Sequence, residues 1–376
     1  MSASKSLGGA GLRGQVAGQT ALCTVGTQGS GLNYRGYDVD DLAENCIFEE
    51  VAHLILKGHL PTQAELDAYQ AKLAPLRELP SSLKAVLELI PAEAHPMDVM
   101  RTGVSMLGNL EPEKSFDQQA DTVDRVLAAL PAIVVYWYRF AKDGERVNTR
   151  TDASTLGGHF LQMLHNKVPS KLHEQVMNVS LILYAEHEFN ASTFNGRVAA
   201  STLTDIHSVI TGAIGTLRGP LHGGANEAAM EMIEQWSSAD EAEAGILAKL
   251  ANKELIMGFG HAVYKERDPR NAIIKKWAEK LSQKADDSTL YDVSVRCEAV
   301  MKREKGMFCN ADFFHASAYH YMGIPTGLFT PIFVMSRVTG WAAHAFEQRE
   351  NNRIIRPSAE YTGPEHRKVT PIKDRG

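Results

Sequence analysis

Between Thr62 and Glu350 the chain repeats one pattern: apolar residues at i, i+3, i+4 and i+7, opened by a capping residue and closed by proline or glycine. That spacing is the period of a helix with one buried face. Thr62-Gln-Ala-Glu65, after Pro61, is a capping box. Leu83, Val86, Leu87 and Ile90 form a stripe stopped by Pro91, and Met97, Met100, Val104 and Leu107 form another. Ser115-x-x-Gln118 reads as the cap of a helix carrying Val123, Val126, Leu127 and Leu130, with Pro131 beginning the next one. Ser238-x-x-Glu241 opens a helix with Ile246, Leu247 and Leu250. Asp268-Pro269 is an N-cap followed by proline at the first helical position, leading Ile274, Trp277 and Leu281. Phe314, Ala318 and Tyr321 end at Gly323 and Pro325, and Thr330-Pro331 starts the last long helix. Only Thr20–Val25 and Leu32–Val39 have strand character, as one small hairpin. No fixed-period repeat argues for a solenoid, so the expected fold class is all-α.

At 376 residues the chain has room for about two domains. No linker rich in proline, serine or charge marks a boundary. The glycine clusters at 219–224 and 323–327 are the best hinges. They predict a large domain over 1–223, a smaller one over 224–323, and a return to the large domain over 324–376. Residues up to about 17 read as a glycine-rich disordered tail without the apolar stretch of a secretory signal. A net charge of -6 argues against a nucleic-acid binder. No apolar run reaches the ~18 residues of a membrane span. Cysteines at 23, 46, 297 and 309 are too scattered for a metal knuckle or a disulfide framework, which suits a reducing, cytoplasmic setting.

Three segments frame single ionisable side chains: Arg218-Gly-Pro-Leu-His222-Gly-Gly, Gly258-Phe-Gly-His261 and Asn310-Ala-Asp312-Phe-Phe. Two histidines and a carboxylate suit acid–base chemistry at a carbonyl: a base for a carbon acid, and donors for oxygens that become negative. Arg270 in Asp-Pro-Arg, Arg337 in Met-Ser-Arg and Arg356 in Ile-Ile-Arg-Pro are bidentate carboxylate holders. Together they suggest an enzyme acting on a small polycarboxylate. Each residue also has a plainer reading. His222 and His261 fit glycine-flanked loops, Asp312 fits a helix cap, and His187 fits a hydrogen-bonded core position. Arg337, among Val334, Met335, Val338 and Trp341, needs either a bound anion or an internal acid. Two rival functions stand beside this one: a metal site of two histidines and an aspartate, and a helical binding protein without catalysis. The chain has no Walker A loop, no GxGxxG after a strand, no HExxH and no GxSxG.

In order and spacing, several motifs resemble those of the citrate synthases. They are Gly219-Pro-Leu-His222-Gly-Gly-Ala-Asn, Gly258-Phe-Gly-His261-Ala-Val-Tyr with Asp268-Pro-Arg270, then Asp312, Ser336-Arg337 and Arg356-Pro-Ser-Ala-Glu-Tyr. The resemblance runs from about Gly18 to the end. It is nearest the 2-methylcitrate synthase branch through Thr20-Ala-Leu-Cys-Thr-Val-Gly, Tyr34-Arg-Gly-Tyr-Asp, His95-Pro-Met-Asp-Val-Met-Arg-Thr, His187-Glu-Phe-Asn-Ala-Ser-Thr-Phe and Arg337-Val-Thr-Gly-Trp-Ala-Ala-His.

The resemblance implies an all-α homodimer with a large and a small mobile domain in each subunit. It implies condensation of an acyl-CoA with oxaloacetate and thioester hydrolysis, without a metal or a tightly bound cofactor; coenzyme A enters as part of the substrate. On the matching positions, Asp312 removes the α-proton, His222 donates to the enolate oxygen, and His261 polarises the oxaloacetate carbonyl and protonates the alkoxide. His187, Arg270, Arg337 and Arg356 hold oxaloacetate, with Arg356 reaching across the dimer interface. The backbone of Ile256, Met257, Gly258, Phe259 and Gly260 lies along the coenzyme A adenine, and Lys265 meets a phosphate. Tyr184 and Ala311 shape the acyl pocket. Because Ala311 is small, both propionyl-CoA and acetyl-CoA are expected to react, and a citrate synthase proper is the alternative.

Overall fold

The computed structural model describes residues 12, 15–27, 29 and 31–375. Among these residues sixteen α-helices and one small antiparallel sheet form the fold, as the periodicity predicts. The tail expected up to about residue 17 lies mostly outside the described residues. No described helix is long and apolar enough to cross a membrane.

Local capping rules hold at three of the expected helix starts. Thr62 and Glu65 make the reciprocal capping box of the Gln63–Leu73 helix, and Ser238 accepts from the Glu241 amide at the start of Ala239–Ala251. Asp268 caps Pro269–Ser282, with proline at its first position.

Four local readings need correction. Pro131 does not begin a helix; it lies inside one helix, Gln119–Asp143. An internal proline costs about 3 kcal/mol, but Val126 through Trp137 are buried without a break. A helix apolar on all sides belongs in the centre of the molecule, and that burial outweighs the lost backbone bond. Ser115 makes no side-chain cap and opens only a 3₁₀ turn, Phe116–Gln118. The expected strand over Leu32–Val39 is broken. Leu32–Tyr34 pairs with Cys23–Val25 and with Tyr37–Asp38, and Arg35 and Gly36 turn between the last two strands at positive φ. The last long helix, Phe329–Glu350, starts one residue before Thr330, with Pro331 in its first turn.

The Phe329–Glu350 helix is the axis on which the site is built. It packs on Lys171–Tyr184, Ala191–Ser201 and Ile206–Leu217. A Cβ on Gly340 would meet Glu186 Oε2 at 2.0 Å and the Ala185 carbonyl at 2.7 Å. Glycine there lets the 185–187 segment lie against the helix one turn beyond Arg337. The helices between residues 225 and 321 pack on one another: Ala239–Ala251 on Thr289–Lys305, and both Pro269–Ser282 and Ala225–Ile233 on Ala311–Tyr321. The glycine clusters at 219–224 and 323–327 fall outside the α-helices and strands.

Candidate active site

The loop bearing His261 and the helix bearing Asp312 are pinned together by backbone. Phe259 and Cys309 form an isolated antiparallel bridge. The Gly260 amide donates to the Phe308 carbonyl at 2.8 Å, and the Asn310 amide donates to the Gly258 carbonyl at 2.9 Å. Gly258 and Gly260 take φ of 84° and 73°, a region that side chains with a Cβ avoid. Asn310, not Asp312, caps the Ala311–Tyr321 helix: its Oδ1 accepts from the Asp312 amide, and its Nδ2 donates to the Gly260 carbonyl. Asp312 therefore stands in the first turn with its carboxylate free for other work. A second tie is Asp268, whose two oxygens hold Arg270 at 3.0 and 2.8 Å while one of them also accepts from the Ala311 amide at 3.0 Å. Burial opposes a charge on Asp268, but Arg270, with His261 and the Ala311 amide, more than offsets it and holds the carboxyl below its usual range.

Asp312 Oδ1 accepts from the Tyr184 hydroxyl at 2.6 Å. Burial pushes the Asp312 carboxyl up, against the Tyr184 bond and the Arg270 charge; a desolvated carboxylate of raised proton affinity suits a general base.

His261 is placed as a donor. Its Nδ1 accepts from the amides of Val263 and Tyr264 at 3.1 and 3.3 Å, so the ring hydrogen sits on Nε2. Burial, with Arg270 beside it, lowers its pKa to about 4, so the ring is neutral at pH 7. His222 has the converse tautomer. Its Nε2 lies 3.4 Å from the Ser192 amide and 2.8 Å from Ser192 Oγ. An amide can only donate, so the hydrogen is on Nδ1. Burial and Arg337 lower His222 to about 4 as well. Ser192 Oγ accepts from Trp341 Nε1 at 3.1 Å, which fixes this support to the long helix.

His187 is buried, bonds the Tyr264 hydroxyl at 3.0 Å and meets the His261 ring at 5.2 Å. Burial keeps it uncharged, reinforced by Arg270. The core reading of His187 thus holds, in a core that borders the site.

Arg337 is only 1% exposed. Its Nε donates to the Tyr184 carbonyl at 2.7 Å and its guanidinium lies over Phe333 at 4.7 Å. Among the described residues no carboxylate comes within 4.0 Å of it. Glu186, whose charge acts on Arg337, is instead bonded to His344 at 2.7 Å. A buried arginine calls for a compensating partner, and among the described residues a direct carboxylate partner for Arg337 is absent. Arg270 is different, since Asp268 already neutralises it.

The remaining predicted residues are less converged. Ile256 and Phe259 are buried, Phe259 against Phe313 at 4.7 Å, and Met257 and Gly260 are partly exposed beside them. Lys265 is exposed. Arg356 is also exposed, on the extended segment after Glu350, with no ion pair among the described residues. His222, His261 and Asp312 do not form a metal-ligand grouping: among the described residues, the His/Cys/Asp/Glu ligand atoms that come within 4.8 Å of one another in a group of three or more are those of His53, His59 and Glu65. Sequence reasoning missed Tyr264, which links His187 to the His261 loop, and Asn226, which donates to Tyr184 at 3.1 Å. It read Asp268 only as a cap.

The family model described as "Citrate synthase, C-terminal domain" matches residues 11–358. The 2-methylcitrate synthase of Shewanella oneidensis is 67% identical over 375 residues, a span that rounds to 100% of each chain. Citrate synthase 2 of Bacillus subtilis is 42% identical over 97% of this chain and 98% of its own. Among solved structures, the ternary complex of carboxymethyl coenzyme A and oxaloacetate with citrate synthase from Thermoplasma acidophilum superposes with a TM-score of 0.89 at 34% identity, covering 97% of this chain and 98% of that one. Identity at these levels runs the length of the fold and takes in every segment that builds the site, so this chain belongs to the citrate synthase family.

Proposed function

We propose that the chain condenses propionyl-CoA, and also acetyl-CoA, with oxaloacetate to give 2-methylcitrate or citrate and free coenzyme A. The observation that carries this reading is the hydrogen-bond pattern: one carboxylate held by Tyr184 through a single oxygen, and two histidines whose bonds from backbone amides fix opposite tautomers. Asp312 takes the α-proton of the acyl-CoA. His222 donates through Nδ1–H to the thioester oxygen as it becomes an enolate. The enolate carbon attacks the oxaloacetate ketone, and His261 gives its Nε2 hydrogen to the oxygen that becomes alkoxide. Water then cleaves the thioester and coenzyme A leaves as the thiol. Neutral donors suit this order, because a proton moves only as charge develops.

His187, Arg270 and Arg337 bind oxaloacetate, and Arg356 of the partner subunit in a homodimer completes its site. The backbone of Ile256 to Gly260 takes the adenine, and Lys265 takes a phosphate. Coenzyme A enters as substrate, with no resident cofactor. Residues 224–323 act as a smaller body that closes on the rest at the glycine clusters, excluding water before the enolate forms. The four free cysteines suit a reducing cytoplasm.

The acyl preference turns on one methylene, worth about 1–3 kcal/mol in a pocket. Ala311 is buried, adjacent to the base and small, which leaves room for the longer acyl chain. Steady-state kinetics should give propionyl-CoA a kcat/KM at least equal to that of acetyl-CoA. A tenfold or larger preference for acetyl-CoA, roughly the low end of what one methylene can supply, would make the enzyme a citrate synthase proper.

A further inference from the structure

We propose that Tyr184 and Asn226 are positioning residues for the Asp312 carboxylate: Asn226 orients the Tyr184 hydroxyl, and that hydroxyl ties down one oxygen of Asp312 so that the other faces the proton to be removed. The proposal rests on the functional reading above for what Asp312 does, and on geometry for how it is held.

The chain of bonds has a fixed direction. Asn226 Nδ2 can only donate, and it donates to the Tyr184 oxygen at 3.1 Å. The hydroxyl hydrogen is thereby left for Asp312 Oδ1, at the short 2.6 Å typical of a bond to a charged acceptor. Asp312 Oδ2 has no partner among the described residues.

The holding groups are themselves immobilised. Tyr184 and Asn226 are each 2% exposed. The Tyr184 ring is clamped between His315 and Phe333, each at 4.3 Å between centroids. His315 is in turn fixed by its Nδ1–H, which donates to the Ala311 carbonyl at 2.6 Å. Asn226 Oδ1 is buried without a partner. An apolar side chain would avoid that loss, so the amide is retained for what its Nδ2 does. Asn226 is also the second residue of the Ala225–Ile233 helix, just after the His222 loop, so the same contact couples the enolate donor's loop to the base.

The other groups facing Asp312 do not change when the hydroxyl is removed. They are Arg270 and Arg337, which favour its charge, and Asp268, which opposes it. Tyr319 and His315 lie on its own helix. A hydrogen bond to the carboxylate favours the ionised form, so deleting it must raise the pH at which Asp312 ionises.

The test uses Tyr184→Phe and Asn226→Leu in the full chain. Asp312 is titrated in the substrate-free protein by NMR of labelled aspartate carboxyls, assigned with Asp312→Asn. In Tyr184→Phe its titration should move up by about one pH unit, in Asn226→Leu by less but in the same direction. The acid limb of the kcat profile should move with it, while KM for oxaloacetate stays within about twofold. A fall in kcat with both the titration and the acid limb unmoved would reduce Tyr184 to a packing residue and overturn the proposal. Because the titration needs no turnover, wild-type protein that fails to condense any acyl-CoA would refute the functional reading while the positioning claim is still judged by the NMR shift.

Discussion

Asp312→Asn is expected to lower kcat by at least about 10²–10⁴-fold while oxaloacetate still binds. The amide keeps the size of the carboxylate, and its oxygen can still accept from Tyr184, as Oδ1 does now. The Asp268 and Asn310 ties that hold this helix to the His261 loop do not involve the Asp312 carboxylate, so the loop stays in place. What is lost is the second oxygen, which in asparagine becomes an NH₂ that only donates. It would meet the α-hydrogen with a hydrogen of its own. Calorimetric titration with oxaloacetate should therefore give near-wild-type affinity in a protein that no longer turns over. A near-normal kcat would remove Asp312 from the mechanism.

The second large effect is expected at Arg356. Oxaloacetate carries two carboxylates, and of the arginines proposed to hold it the buried ones are Arg337 and an Arg270 already neutralised by Asp268. The site is short of positive charge for a dianion. Arg356 lies exposed on an extended segment with no ion pair among the described residues, and the proposed role for it is to complete the site of a partner subunit. Arg356→Ala should be almost inactive, since a two-point contact to a desolvated carboxylate is lost. Asp312→Ala should be inactive because the base is missing. In a hybrid dimer both defects fall in one site and the other is intact. Co-expressing the two variants should restore up to about a quarter of wild-type activity, with half the dimers hybrid and one working site in each. Hybrids verified by dual tags that stay as dead as their parents would place Arg356 in its own subunit's chemistry or in none.

What the sequence made legible was what is encoded within a few residues. The caps at Thr62, Ser238 and Asp268, the helical stripes, and the apolar surroundings of Arg337 are local facts, and they survive in the fold. Pro131 shows where locality fails. The rule that proline ends a helix was overridden by unbroken burial of the middle of that helix, Val126 through Trp137, a property of the assembled core. Asp312 illustrates the same limit at the site. Its cap reading failed because Asn310, two residues earlier, had the better geometry. Tyr184 was legible as a neighbour of His187, but its bond to Asp312 spans 128 positions in the chain, and no spacing rule reaches that far. Asn226 and Tyr264 went unread for that reason: an amide and a phenol gain their roles only when separate helices and loops close on one another.

The central claim is that this geometry joins an acyl-CoA to oxaloacetate, and the most direct measurement is free thiol released from propionyl-CoA by purified protein, with and without oxaloacetate and with and without EDTA. The account predicts release only when oxaloacetate is present, a product of the mass of 2-methylcitrate, and a rate unchanged by the chelator. No oxaloacetate-dependent release from either propionyl-CoA or acetyl-CoA, or activity abolished by EDTA and restored by iron, would contradict it.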